Sequence, residues 1–130
     1  MSPYLLVRNV NEAMAFYQNA FGFRPGPTYG EPGKPVSYGE VFHHDALIML
    51  GLPEDGKHHP AGDYHGLTLY CYTPDVDGLA ARAQAAGATL RHAPKDQFWG
   101  DRTCLLIDPD GHAWMWATHL RAAAFESAHE

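Results

Sequence analysis

The sequence predicts an α+β fold built from two tandem βαβββ modules. The main reason is an internal repeat. One short segment at the start of a predicted helix occurs twice, and so does one short segment around the glycine that ends the helix. The copies are offset by 66 residues at the helix start and by 65 at the glycine. The matching tracts are Asn9-Val10-Asn11 with Asp75-Val76-Asp77, and Ala20-Phe21-Gly22-Phe23 with Ala85-Ala86-Gly87-Ala88. Because each half is too small to bury a sheet alone, the two halves must pack together.

A β-hairpin near the end of the chain is the second observation. Residues 102–107 and 113–118 are apolar and strand-like, and the turn between them is Asp108-Pro109-Asp110-Gly111. Proline presets φ for the first central position of such a turn, and the aspartate before it can bond the backbone two residues further on. The apolar arms suit a sheet that is buried on both faces or that curves around something.

The first module begins with a short predicted strand over residues 4–8. Asn9 follows as a helix N-cap, with Glu12 three residues later as in a capping box. Apolar residues recur at three- and four-residue spacing through residues 10–21, which predicts a helix with one apolar face. Gly22 is a typical residue to end that helix.

Turn residues predict the rest of the first module. Residues 23–35 contain four prolines and three glycines, so we expect an irregular connection with at most a short strand near Phe23. Residues 36–43 and 46–50 are then predicted to form two strands joined by a tight turn at His44-Asp45.

The second module repeats this order of elements. Asp75 is the expected N-cap of its helix and Gly87 the expected stop. The predicted ranges are 67–73 for a strand, 76–86 for the helix, 88–92 for a further strand and 94–100 for a loop before the hairpin.

The predicted elements fit a single domain at residues 1–119. Its modules cover about residues 3–51 and 66–119. Residues 52–65, rich in Gly, Pro and His, form the linker between them. Residues 120–130 form an Ala-rich tail to which no structure is assigned.

Composition argues against several classes of partner. Apolar residues make up 45% of the 130 residues and charged residues 18%, as in ordinary globular proteins. The net charge of −6, without any basic run, predicts no nucleic-acid partner. The start of the chain has neither the pattern of a signal peptide nor that of a membrane span. Cys71 and Cys104 lie in apolar runs typical of reduced thiols, so a cytoplasmic protein without a membrane partner is expected.

Several motifs resemble the vicinal oxygen chelate superfamily, which includes glyoxalase I, extradiol dioxygenases, fosfomycin-modifying enzymes and bleomycin resistance proteins. The resemblance covers about residues 3–119. It implies that each half curves its sheet into an open half-barrel with the helix outside, and that two chains pair as a homodimer. The motifs are V-x-x-A-x-x-F-Y (Val10, Ala13, Phe16, Tyr17), A-F-G-F at the helix end, W-G-D-R, and D-P-D-G-H before the last strand.

The resemblance also implies four metal-ligand positions, and this sequence departs from the pattern at each of them. Counting from the matched motifs gives Ser2 for the first position and Met49 for the second, where glyoxalase-like sequences carry Glu. The third falls at Thr68 or Leu69, and the fourth at Met115, again in place of Glu. Neutral thioethers and hydroxyls do not hold Zn, Fe(II), Mn or Ni usefully. We therefore expect no metal, no other cofactor, and none of the chemistry that needs the metal.

The remaining likeness is to the bleomycin resistance branch, whose members lack metal ligands and sequester an antibiotic at the dimer interface. Trp99-Gly100 is part of that likeness. It implies non-catalytic binding of a hydrophobic, partly aromatic small molecule, such as a peptide antibiotic or another natural product. Two alternatives stay open: a metal-dependent lyase or dioxygenase of the glyoxalase type with displaced ligands, and a scaffold with no small ligand.

The candidate ligand-binding residues are aromatic, sulfur-containing or positively charged. Trp99 is a stacking residue or, alternatively, a plug or dimer contact, and Arg102 pairs with an acid or carbonyl of the ligand or forms a salt bridge across the dimer. Trp114 and Trp116 alternate with a cavity-facing methionine and are therefore expected to pack against the helices. The full candidate set is Tyr38, Met49, Tyr64, Phe98, Trp99, Arg102 and Met115.

Nine histidines raise the question of an unorthodox metal site. His43 and His65, one from each half, are the alternative ligands to consider. His112 follows the turn glycine and is expected to bond nearby backbone groups. No nucleophile-elbow, phosphate-loop or zinc-protease motif is present in the sequence.

Overall fold

The computed structural model describes residues 1–54 and 66–121. In this part of the chain two βαβββ modules follow one another, which confirms the predicted α+β class. The first module consists of β1 (Tyr4–Leu6), α1 (Val10–Phe21), β2 (Arg24–Tyr29), β3 (Tyr38–His43) and β4 (Ala46–Gly51). The second consists of β5 (Thr68–Tyr72), α2 (Val76–Ala85), β6 (Thr89–Asp96), β7 (Asp101–Ile107) and β8 (Ala113–His119).

The two modules have the same sheet topology. The first sheet has the strand order β1-β4-β3-β2, and the second has the order β5-β8-β7-β6. In each sheet the first and last strands of the module pair in parallel, and the remaining pairs are antiparallel. The repeat visible in the sequence is therefore a repeat of architecture.

The helix boundaries follow the local signals. The side chain of Asn9 accepts a hydrogen bond from the backbone N–H of Glu12 at 2.9 Å, and Gly22 ends α1 in the left-handed region at φ 71°. Asp75 caps α2 in the same way through the N–H of Gly78 at 3.0 Å. Gly87, at φ 114°, follows the end of α2 as predicted.

The structure corrects two of the predicted connections. The irregular segment predicted at residues 23–35 contains the six-residue strand β2, although Pro25 and Pro27 lie in it. Strand β6 likewise continues through Pro94 to Asp96, so the predicted loop at 94–100 is shorter than expected. Both strands lie at the outer edge of their sheets, with register shifts near the prolines. An edge strand needs only part of its N–H groups for pairing, so it tolerates proline.

Aromatic residues of the first module pack on the second sheet. Tyr17 and Phe21 of α1 lie 5.4 and 5.2 Å from Trp114, measured between ring centroids, and Phe21 lies 5.1 Å from Trp116. Phe23 contacts both tryptophans. Trp114 and Trp116 are buried, as predicted, so the two modules share one core.

Asp108 of the D-P-D-G turn links the modules through hydrogen bonds. Its buried carboxylate accepts from the hydroxyl of Tyr17 and from Nε1 of Trp114, the latter at 3.0 Å. It also accepts from the backbone N–H groups of Asp110 and His112. Burial and the neighbouring Asp108 raise the pKa of Tyr17 well above its usual value, so this phenol remains a donor. The turn motif thus serves tertiary structure as well as chain reversal.

Residues 1–54 and 66–121 contain no helix that combines the length and the apolar character needed to cross a membrane.

Candidate ligand-binding site

Each sheet has one face toward the helices and one face away from them. On β4, Ile48 and Leu50 are buried, and the intervening Met49 is half-buried. On β8, Trp114 is buried and Met115 is half-buried. Since side chains alternate along a strand, the two methionines lie on the faces opposite the helices, which we call the open faces.

The two open faces carry equivalent Tyr–Met pairs. Tyr4 lies beside Met49 in the β1–β4 register, and Tyr70 lies beside Met115 in the β5–β8 register. Both tyrosines are exposed. Tyr70 follows Tyr4 by 66 residues, and Met115 follows Met49 by 66 residues. The internal repeat therefore relates one pair to the other.

The open face of the first sheet also carries a tyrosine–carboxylate pair. The hydroxyl of Tyr38 donates to Oε2 of Glu40 at 2.6 Å, and this bond is the main cause that raises the pKa of Tyr38 to about 12. The ring of Tyr4 lies over Gly51, where any Cβ would overlap the phenol hydroxyl. Gly51 therefore leaves the space that the Tyr4 phenol occupies.

The second sheet carries a larger hydrogen-bonded group, the Asp101 cluster, made of Asp101, Tyr70, Tyr72, His119 and Trp99. Asp101 is only 3% exposed, and its Oδ2 accepts from the hydroxyls of Tyr70 and Tyr72 at 2.5 and 2.9 Å. Its Oδ1 lies 3.0 Å from Nδ1 of His119. Nε1 of Trp99 donates to the Tyr70 hydroxyl at 3.1 Å. Four side chains are thus organised around one buried carboxylate.

The electrostatics of the Asp101 cluster favour a charged Asp101 and neutral tyrosines. Burial acts to raise the pKa of Asp101, but the hydrogen bonds from Tyr70, His119 and Tyr72 outweigh it, and the pKa lies below its usual value. Burial, followed by the bond to Asp101, raises the pKa of Tyr70 to about 12. The bond to Asp101 is the main cause that raises the pKa of Tyr72.

Of the predicted aromatic loop residues, Trp99 belongs to the Asp101 cluster and Phe98 lies beside it. The two rings meet edge to face, with centroids 5.1 Å apart, and Phe98 is 69% exposed. Gly100 then turns the chain into β7 at φ 99°. The loop therefore presents one anchored ring and one exposed ring next to Tyr70.

Arg102 lies on the other side of the sheet. Its Nε and Nη2 donate to the carboxylate of Asp77 on α2 at 2.9 and 3.1 Å, and its Nη1 donates to Asp96 at 3.0 Å. Arg102 is thus paired with carboxylates of its own chain rather than across a dimer, and it is not brought together with the other candidate residues.

Of the two histidines considered as alternative metal ligands, only His43 lies within the described residues. Nε2 of His43 lies 3.0 Å from the carbonyl oxygen of Tyr72, and its ring meets Trp116 edge to face at 5.1 Å. Burial lowers the pKa of His43. His43 therefore connects the two modules, whereas its proposed partner His65, like the candidate Tyr64, lies outside the described residues. Nε2 of His112 lies 2.9 Å from the carbonyl oxygen of Leu6, which is the backbone contact expected for it.

The family's metal positions do not supply metal-binding donors here. Thr68 pairs with Ala113 two residues before Met115, so it shares the open face, whereas Leu69 packs against the core. Of the two residues considered for the third position, Thr68 is therefore the one on the open face. Ser2 precedes β1, and Met49 and Met115 provide only thioethers. Within residues 1–54 and 66–121, no group of three or more His, Cys, Asp or Glu side chains is arranged to hold a metal ion.

An open groove of about 480 Å³ borders the Asp101 cluster. Tyr72 and His119 belong to both the cluster and the groove, and the volume is in the range of small-molecule sites. Two smaller cavities, of about 270 and 340 Å³, lie around Arg8 and contain none of the candidate residues. The residues that line the groove are His44, Tyr72, Thr73, Pro74, Thr118 and His119.

Four members of the Asp101 cluster were not among the candidates from the sequence: Tyr70, Tyr72, Asp101 and His119. Two signals were available. The tyrosines occur at alternate positions of β5, which places them on one face, and Asp101 directly follows the aromatic loop. His119 has no such signal, because only the β7–β8 pairing brings it opposite Asp101.

The chain belongs to the glyoxalase/bleomycin resistance protein/dioxygenase superfamily, whose family model matches residues 3–116. Among individual proteins, uncharacterized proteins of Mycobacterium bovis and Mycobacterium tuberculosis are 33% identical to it over 131 residues. The match covers 93% of this chain and 84% and 75% of those proteins.

Solved structures support the same fold. A member of this superfamily from Sphaerobacter thermophilus is 27% identical, with a TM-score of 0.68 and coverage of 91% of this chain and 94% of that one. TioX from Micromonospora sp. ML1 is 24% identical, with a TM-score of 0.73 and coverage of 92% and 98%. The fosfomycin resistance protein FosX from Listeria monocytogenes, solved with Mn(II) and sulfate, is 16% identical, with a TM-score of 0.71 and coverage of 92% and 88%.

Proposed function

We propose that this protein binds a hydrophobic, partly aromatic small molecule without transforming it, and that it acts by sequestering an antibiotic or another natural product. The observation that carries the proposal is the Tyr–Met pair on each open face. The resemblance implies that Met49 and Met115 stand where metal enzymes of the family carry carboxylates, and each methionine lies beside an exposed tyrosine. Such surfaces suit a flat ring through stacking and sulfur–ring contacts.

The free energy gained by burying apolar surface of the ligand is large enough to give useful affinity. Each Å² of apolar surface removed from water contributes about 25 cal/mol, so burying about 300 Å² of a ligand contributes roughly 7 kcal/mol before the cost of immobilisation. Sequestration requires tight binding and stoichiometric protein, and it requires no turnover.

The proposal includes a homodimer. A ligand on one open sheet would leave its other side in water, so a second chain that brings its open face opposite the first would enclose the ligand. Exposed apolar side chains at Tyr4, Leu6, Tyr70, Tyr72 and Phe98 support this arrangement. Sedimentation equilibrium should give twice the mass of the chain, and a monomer at micromolar concentration would contradict the enclosed site.

Elemental analysis and equilibrium dialysis together test the proposal against a metal-dependent lyase or dioxygenase. Bleomycin and actinomycin D, which carry planar aromatic groups on peptides, are suitable probes. We expect saturable binding of at least one of them, no stoichiometric Zn, Fe, Mn or Ni, and full recovery of the unchanged probe by mass spectrometry. Stoichiometric metal, or conversion of the probe that stops on chelation, would contradict sequestration.

A matched pair of variants locates the site. Replacing Met49 and Met115 together by alanine should weaken binding by about tenfold or more, because both ring contacts are lost. Leu67→Ala removes an exposed leucine that precedes β5 and should leave binding unchanged. Equal binding by both variants would place the site elsewhere.

A further inference from the structure

The Asp101 cluster has a defined hydrogen-bond direction. An ionised carboxylate can only accept hydrogen bonds, so every group bonded to Asp101 must direct a hydrogen toward it. The hydroxyl hydrogens of Tyr70 and Tyr72 and the Nδ1 hydrogen of His119 are therefore all turned toward the buried carboxylate. Nδ1–H is then the tautomer of the neutral His119 ring.

The groups that face outward are consequently acceptors. When Nδ1 of His119 carries the hydrogen, Nε2 of the neutral ring presents a lone pair. The oxygen of Tyr72 also presents lone pairs, whereas that of Tyr70 already accepts from Trp99. Tyr72 is 52% exposed, the His119 side chain is 62% exposed, and both line the 480 Å³ groove. A ligand in this groove meets acceptor atoms backed by a negative charge.

We propose that the Asp101 cluster is an accepting subsite that selects ligands carrying an N–H donor beside the aromatic body. This inference rests on the proposed binding function and names the chemical class that the binding site prefers. A neutral or positively charged N–H donates to the phenol oxygen of Tyr72, beside the Nε2 acceptor of His119. A ligand carbonyl or anion places its own lone pairs against theirs and is disfavoured by the charge of Asp101.

Three tricyclic compounds of the same shape test the inference: carbazole with an N–H donor, fluorene with neither donor nor acceptor, and fluorenone with a carbonyl acceptor. Dissociation constants would be measured by equilibrium dialysis at about pH 8.5, where histidine side chains are generally neutral. Since one hydrogen bond contributes about 1 kcal/mol, carbazole should bind about five- to tenfold more tightly than fluorene. Fluorenone should bind more weakly than fluorene.

Variants assign the preference to the Asp101 cluster. Tyr72→Phe keeps the ring and removes the acceptor oxygen, so the carbazole preference should fall to about twofold while fluorene binding stays the same. Tyr29→Phe removes an exposed phenol oxygen from the edge strand β2 and should keep the full preference. In Asp101→Asn one carboxylate oxygen is replaced by an NH2 donor, so the groups that face it no longer direct their hydrogens inward, and fluorenone should gain relative to carbazole. Thermal melting checks that each variant is folded.

The outcomes separate the inference from the function on which it rests. Carbazole preference that falls to about twofold in Tyr72→Phe supports the accepting subsite. Equal affinity for the three compounds, preference for fluorenone, or a preference that survives in Tyr72→Phe overturns the subsite and leaves the binding function standing. No binding of any of the three compounds overturns the binding function, and the subsite with it.

Discussion

At the scale of single residues, individual hydrogen bonds hold side chains of the candidate site in place. Trp99 shows this, because its Nε1 donates to the Tyr70 hydroxyl while its ring lies edge to face with Phe98. A partly buried ring that is held by one hydrogen bond at a loop can stack on a ligand with little involvement in the core.

The first prediction concerns Trp99. Trp99→Ala should weaken probe binding by about tenfold, because the stacking surface is lost, and should lower the melting temperature by only about 2 °C. Trp99→Phe, which keeps a ring, should retain most of the affinity. Dialysis and thermal melting measure the two effects. A loss of stability as large as the loss of binding would make Trp99 a packing residue.

The second prediction concerns Asp101 and acid. Because the folded-state pKa of Asp101 is lower than the unfolded-state value, its contribution to stability is fully present above the unfolded value of about 4. The contribution is lost as the pH falls toward the lower folded-state pKa. Urea unfolding between about pH 3 and pH 7 should therefore show a smaller acid loss in Asp101→Asn than in the unaltered protein. Parallel curves would contradict a lowered pKa.

At the scale of elements, the turn of the β7–β8 hairpin is bonded to the rest of the fold through one side chain. The carboxylate of Asp108 accepts hydrogen bonds from Tyr17, Trp114 and two turn N–H groups, so one side chain satisfies donors from α1, β8 and the turn. The other hairpin also has an aspartate at its turn, Asp45, but that side chain is exposed.

The third prediction compares these two turns. Asp108→Ala should lower the free energy of unfolding by about 3–5 kcal/mol, because it leaves buried donors unpaired. Asp45→Ala should change it by less than about 0.5 kcal/mol, as is usual for surface sites. Urea denaturation of both variants measures the difference. Similar small effects at both sites would show that the D-P-D-G motif serves only to reverse the chain.

At the scale of the whole molecule, the two modules present equivalent positions on their open faces. The repeat places Met49 and Met115 at corresponding strand positions, where the resemblance to the metal enzymes puts carboxylates. A cation bound at both positions would need the two open faces to come together across one cavity.

The fourth prediction tests this correspondence. Met49→Glu combined with Met115→Glu should produce weak Zn(II) binding, measurable by calorimetry, because two carboxylates then occupy family ligand positions. Each single variant should bind less Zn(II) than the double variant. Probe binding should fall in the double variant, since two charges now lie on the aromatic surface. No gain in Zn(II) affinity would contradict the assignment of these positions.

Features that depend on local interactions were visible in the sequence. Asn9 and Asp75 cap their helices, Gly22 ends the first of them, and the D-P-D-G tract turns the chain, because each effect acts within a few residues. Together with the repeat, these signals predicted the two modules and most of their boundaries. The assignment of Met49 and Met115 to the family's metal positions, made by counting along the chain, stays a prediction.

Only the tertiary structure decided the features that depend on partners distant in the chain. The edge location of β2 and β6 explains why their prolines are tolerated, and that location is a property of the assembled sheet. Arg102 faces Asp77 across a gap of 25 residues and therefore belongs to the fold rather than to the open face. Asp101 meets Tyr70 and Tyr72 because β5 and β7 both flank β8. The physical reason is that strand pairing joins residues far apart in sequence, whereas caps and turns join near neighbours.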